Sequence, residues 1–153
     1  MTSEFDELEE QVMEEIKSTY TETVIDHAMN PRNVGRIDNA NGFARVTGPC
    51  GDTMEIWLNV KNEAISSVTF WTDGCGTSIA AGSMVTELIK GKEVNKTLTI
   101  TQQNVLDALG GLPEDSGHCA LLAANTVKEA VKDYLANKKE PWKKAYRQQG
   151  SIW

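Results

Sequence analysis

The residues of this chain best equipped for chemistry are its three cysteines, Cys50, Cys75 and Cys119. Cys50 lies in Gly48-Pro49-Cys50-Gly51-Asp52, Cys75 in Gly74-Cys75-Gly76, and Cys119 directly follows His118. None falls inside an apolar stripe; each stands where one element should end and the next begin. A helix N-terminus carries unsatisfied N–H groups and a partial positive charge. A thiol placed there ionises more readily, and Cys75 and Cys119 are both expected in such positions. Glycines beside Cys75 let backbone amides come close to a sulfur or a bridging sulfide. Thiolates are the soft ligands that iron–sulfur clusters and zinc select. One buried cysteine is commonly a small hydrophobe. Three at Gly- or Pro-flanked element ends read better as ligands. No Cys-x-x-Cys pair is present, so such a site has to be assembled from distant segments.

Three thiols are one ligand short of a tetrahedral set. Asp52, two residues from Cys50, or His118, beside Cys119, would complete it. Taken alone, Asp52 is a turn residue and His118 a neighbour of a helix start. Both are harder donors than thiolate and hold a soft metal less firmly. A cluster kept for electron transfer usually has four thiolates. Three thiolates with a weaker fourth ligand suit transient binding, hence a scaffold rather than a ferredoxin. His27 is assigned a structural role near the C-terminal end of the first helix, where a cation is favourable.

The elements that must position these groups follow from periodicity. Phe5, Leu8, Val12, Ile16, Tyr20, Val24 and Ala28 are spaced as one face of a long helix over 4–29, very acidic in its first half and stopped at Asn30-Pro31. Residues 32–48 read as a loop with one short strand near Phe43 to Val46. Met54, Ile56, Leu58 and Val60 alternate with polar or outward residues as a half-buried strand. A second strand runs from about Ile65 to Thr72, joined to the first through Lys61-Asn62-Glu63 as an antiparallel hairpin. A helix follows Cys75 and ends near Gly91. Thr101 caps a short helix that Gly110-Gly111-Leu112-Pro113 breaks. A last amphipathic helix spans about Cys119 to Leu135, and a basic tail with two tryptophans occupies 136–153. The expected fold is α+β, with several helices on one face of a small antiparallel sheet. The whole of 1–153 is expected to be one domain, with 1–19 an acidic helical extension.

Composition narrows the function classes. Fifteen Lys and Arg against 22 Asp and Glu give a net charge of −7, which repels a phosphate backbone, so nucleic acid is not an expected partner. No run is apolar enough to span a bilayer. The acidic N-terminus is unlike the basic start of signal and transit peptides, so a cytoplasmic location is expected. An odd cysteine count does not make a disulfide framework, which fits a reducing compartment.

Several segments in one order carry a resemblance. They are Val24-Ile25-Asp26-His27 with Asn30-Pro31-Arg32-Asn33-Val34-Gly35; Cys50-Gly51-Asp52; Gly74-Cys75-Gly76 with Ser78-Ile79-Ala80 and Val85-Thr86-Glu87; and Leu112-Pro113 leading to His118-Cys119. Over most of residues 20–135 the chain resembles the U-type iron–sulfur cluster assembly scaffolds (IscU and the N-terminal domain of NifU). The resemblance implies a scaffold without turnover of its own. Cys50, Cys75, Cys119 and Asp52 would surround an exposed assembly site, with His118 an alternative ligand. Cys119 would be the main persulfide acceptor, and Asp52 would keep the cluster labile. The implied partners are a cysteine desulfurase, a ferredoxin-type electron donor, in some members a frataxin-like protein, and recipient apo-proteins. The implied product is a 2Fe–2S cluster, with 4Fe–4S formed by coupling two units in a homodimer. Zinc can occupy the same site in the apo form.

Two departures stand out. Many members carry Leu-Pro-Pro-Val-Lys before the His-Cys pair, which an Hsp70 chaperone grips. Here the run is Leu112-Pro113-Glu114-Asp115-Ser116-Gly117, so chaperone-driven release does not carry over. The insertion between the second and third cysteines that marks a related zinc-dependent sulfur-transfer branch is absent. A zinc-dependent persulfide carrier is the competing reading, and a structural zinc domain whose folding depends on the metal is a third.

Overall fold

Met54, Ile56 and Leu58 have no solvent exposure; of the residues between them Glu55 keeps some, and Trp57 is covered by the Phe43 ring, centroids 5.3 Å apart. They lie on the strand β2 (Thr53–Lys61), the middle of the sheet in the computed structural model, which describes residues 4–140. β1 (Gly42–Thr47) and β3 (Ala64–Thr72) flank it, both antiparallel, in the order β1-β2-β3. Phe43 stands opposite Trp57, and Ile56 opposite Phe70. The loop before β1 lies along part of the free edge of β3: Phe70 N–H donates to Asn33 C=O at 2.9 Å and Gly35 N–H to Phe70 C=O at 3.1 Å. Pairing at Phe70 interrupts this edge as a template for another chain.

The helices are α1 (Glu4–Thr19), α2 (Glu22–Met29), α3 (Gly76–Ile89), α4 (Val94–Thr97), α5 (Gln102–Leu109) and α6 (Gly117–Lys139). Apart from α1 they gather on one face of the sheet, so the architecture is the expected α+β. α3 and α6 form the layer next to the strands, and both approach closely because small residues line the contact. A Cβ on Gly82 of α3 would sit 2.4 Å from the Phe70 ring, and one on Gly42 of β1 would sit 2.5 Å from the Ala130 carbonyl of α6. Ala80, Ala81, Val85, Ala123, Val127 and Ala130 fill the interface with the sheet's buried side chains.

Three expectations change. The long helix over 4–29 is two helices. Thr21 interrupts it, because its hydroxyl accepts Val24 N–H at 3.1 Å as an N-cap and donates to the Leu109 carbonyl. Apolar spacing alone carries straight across such a break. α4 is a single turn, too short to show a period, though Val94 and Thr97 are buried. The last helix starts at Gly117 and extends through Lys139, four residues beyond Leu135. Residues 141–153 of the tail lie outside the described residues. Thr101 does cap α5, in a reciprocal capping box with Asn104. Among the described residues no helix is long and apolar enough to cross a membrane.

Candidate metal and sulfur site

Each cysteine is carried by a different junction, and the sheet and the two inner helices bring these junctions to one end of the molecule. Residues 48–52 connect β1 to β2 as a tight turn: Gly51 N–H donates to Gly48 C=O at 3.0 Å, and Gly48 N–H to Asp52 C=O at 2.8 Å. Gly51 has φ +89°, a conformation glycine adopts without strain, and a Cβ there would meet nothing within 4 Å. Cys50 is exposed on this turn, and Asp52, at its end, is half-buried.

Cys75 is the N-cap residue of α3 and is exposed. Its thiol pKa is lowered, first by the Thr77 hydroxyl, whose Oγ1 lies 3.1 Å from Sγ, and then by the backbone N–H groups of Ser78 and Thr77 at the start of the helix. This agrees with the expectation from the helix N-terminus. Cys119 does not. It is the third residue of α6 and only 1% exposed, and burial pushes its thiol pKa up. The Ser78 and Thr77 hydroxyls work in the other direction, whereas the charges of Cys75 and Asp52 add to the rise. Desolvation outweighs the helix terminus here, a result that position in sequence does not reveal.

The ligand atoms of Asp52, His118 and Cys119 all lie within 4.8 Å of one another, close enough to share one metal ion. His118 Nε2 is 3.7 Å from Cys119 Sγ. Cys75 joins this group through hydroxyls. Thr77 Oγ1, at 3.1 Å from Cys75 Sγ, is also 3.3 Å from Cys119 Sγ. Ser78 Oγ, 3.3 Å from Cys119 Sγ, donates to Asp52 Oδ2 at 3.1 Å. Thr77 and Ser78 were not singled out from sequence as ligand supports. The signal was there: two hydroxyl residues in the first turn after a glycine-flanked cysteine. Gly74 is required by the same packing, since a Cβ would lie 2.4 Å from Ser78 Oγ and 3.0 Å from Asp52 Oδ2. The site is therefore open on the side of Cys50 and Cys75 and closed over Cys119, where the resemblance implied exposure throughout.

His27 stands apart from this group. It is buried, with Nδ1 2.7 Å from Ser83 Oγ, and Ser83 also accepts the Arg32 N–H at 2.9 Å. Burial, with Arg32 adding to it, lowers its pKa, so the neutral ring is favoured over the cation expected at a helix end. The role remains structural: it ties α2 and the loop after it to α3.

Comparison with known proteins matches residues 19–141 to the model of the NifU-like N-terminal domain family. The chain is 47% identical over 117 residues to the iron–sulfur cluster assembly scaffold protein IscU 1 of Archaeoglobus fulgidus, covering 76% of each chain. It is 40% identical over 124 residues to the scaffold protein IscU of Escherichia coli K12, covering 78% of this chain and 96% of that one. In fold it resembles the crystal structure of a nitrogen-fixing NifU-like protein (N-terminal) from Brucella abortus, with TM-score 0.64, 16% identity, and coverage of 79% of this chain and 97% of that one. With the family model and these relatives in agreement over four-fifths of its length, the chain belongs to the NifU-like N-terminal domain family.

Proposed function

We propose that this chain is a scaffold on which an iron–sulfur cluster is assembled and then passed to recipient apo-proteins, with no turnover of its own. The observation that carries this is the convergence of Asp52, His118 and Cys119 within ligand distance, with Cys75 linked to Cys119 through Thr77. The donor set mixes soft thiolates with a carboxylate and an imidazole. It can gather iron and sulfide, yet binds them less firmly than four thiolates would. The cluster is cargo: 2Fe–2S is the product we propose first, and 4Fe–4S would follow by coupling two such units in a homodimer.

Sulfur would arrive as a persulfide from a cysteine desulfurase. Transfer moves the outer sulfur onto a thiolate of this chain and leaves the desulfurase cysteine as a thiolate. Two electrons, from a ferredoxin-type donor, then cleave the S–S bond to sulfide, which iron captures. A frataxin-like protein is a further candidate partner. Cys119 is the proposed acceptor, and its burial means that the start of α6 must open to admit the donor. A second reading comes from the exposed Cys75 and its lowered pKa: it takes the sulfur first and relays it to Cys119 across Thr77. Persulfide labelling of Cys75→Ser and Cys119→Ser separately decides between them.

The function is tested by mixing the anaerobic metal-free protein with ferrous iron, cysteine, a reductant and a cysteine desulfurase, and recording visible and Mössbauer spectra. Sulfide-to-iron bands, equal iron and sulfide, and transfer to an apo-ferredoxin support the scaffold. A protein that stays colourless, acquires only persulfide and takes up added zinc in place of iron would instead establish the zinc-dependent sulfur carrier.

A further inference from the structure

Among the described residues α1 packs chiefly on its successor α2, and none of its residues is buried. Its apolar side chains nevertheless form a stripe: Phe5 is 70% exposed, Leu8 58% and Val12 47%, with Ile16 half-buried at the base. At 3.6 residues per turn these positions share one face, and Glu9 and Glu15 flank it on opposite sides. Seven acidic side chains and one lysine make up the charge of this 16-residue helix. Glu10 stands three residues after Glu7 and four before Glu14, spacings at which like charges repel. A short helix that repels itself and leaves its apolar face in water is marginal alone. What it lacks is a cover that is both apolar and basic.

The chain contains one segment of that chemistry. Residues 141–153 carry Lys143, Lys144 and Arg147 with no acidic side chain, and interleave them with Trp142, Tyr146, Ile152 and Trp153. We propose that the exposed face of α1 is the docking site for this chain's own C-terminal segment, residues 141–153. The aromatic side chains cover Phe5, Leu8 and Val12, and the three basic residues lie against the acids on either side of the stripe. Tethering also favours it over a free partner of equal chemistry, since a short linker presents a segment at an effective concentration on the order of millimolar.

The test is amide hydrogen exchange on the full chain, comparing wild type with Lys143→Glu/Lys144→Glu/Arg147→Glu. The expected result is exchange about tenfold faster across residues 8–15 in the variant, with the amides of β2 unchanged as proof of an intact core. A charge swap, adding Glu9→Lys/Glu15→Lys to that variant, is expected to restore the slow exchange. Equal rates in wild type and variant overturn the proposal, as does a swap that restores nothing. Wild-type protection that falls on hundredfold dilution also overturns it, because the occupant is then a second copy.

Discussion

Replacing Gly74 with alanine tests how tightly the site is built. The added Cβ would lie 2.4 Å from Ser78 Oγ, 2.6 Å from Ser78 Cβ and 3.0 Å from Asp52 Oδ2. Carbon needs about 3.5 Å from its neighbours to be at rest, so the loop has to move outward by roughly 1 Å. Ser78 cannot give way, because it has no solvent exposure. A shift of that size parts Ser78 from Asp52, whose hydrogen bond is 3.1 Å long. Overpacking costs about 1–3 kcal/mol. For a chain of this length about 2 kcal/mol lowers Tm by roughly 4–8 °C. Urea unfolding followed by circular dichroism measures it, and the informative arm is a double-mutant cycle with Ser78→Gly. That change removes both of the nearest clashing atoms. Gly74→Ala should then cost about 1–2 kcal/mol less in the Ser78→Gly background than in wild type. A cost within about 0.5 kcal/mol of zero in wild type, or the same cost in both backgrounds, refutes this account of Gly74.

Iodoacetamide should alkylate Cys75 well before Cys119 in the native protein, given exposure and a lowered pKa against burial and a raised one, and all three cysteines at similar rates in urea; mass spectrometry of timed digests reads the order. The raised pKa of Cys119 also has a sign in stability. The native thiol holds its proton above the ordinary value of 9.0, so its contribution is complete below that pH and is lost as pH rises through the higher native value. The alkaline fall in apo-protein stability should therefore be shallower in Cys119→Ala; an unchanged slope in urea melts between neutral pH and pH values above 9.0 would contradict it. Asp52→Ala removes the carboxylate that faces Cys119 and His118, and the assembled cluster should then decay more slowly in air, followed by loss of its visible absorption.

The parts of the fold legible in the sequence were those with a strong period. Alternation placed β2 and β3, and Gly74-Cys75-Gly76 marked the strand-to-helix junction. Thr101 announced its helix through side-chain chemistry. The split at Thr21 was not legible, because the hydroxyl chooses a cap through a partner, the Leu109 carbonyl, that lies 88 residues away. The same limit applied to the site. The candidate ligands could be named from residue type and flanking glycine. Which of them meet could not, since Asp52 and Cys119 come together only through the packing of α3 and α6 against the sheet. Burial of Cys119, and with it the reversed pKa, follows from that packing and has no local signature. Thr77 and Ser78 went unread for a related reason: a hydroxyl in a first helical turn usually serves its own helix.

The turn bearing Cys50 differs from the other two anchors in the space around it. Cys75 and Cys119 share the Thr77 hydroxyl, and Ser78 joins Cys119 to Asp52, so these three ligands are tied to one another through the first turn of α3. Gly51, beside Cys50, has open space where a side chain would be. Under the proposed function the site would act as a caliper: the side held by Thr77 and Ser78 would gauge an ion, and the open space beside Gly51 would leave room for the cargo to grow.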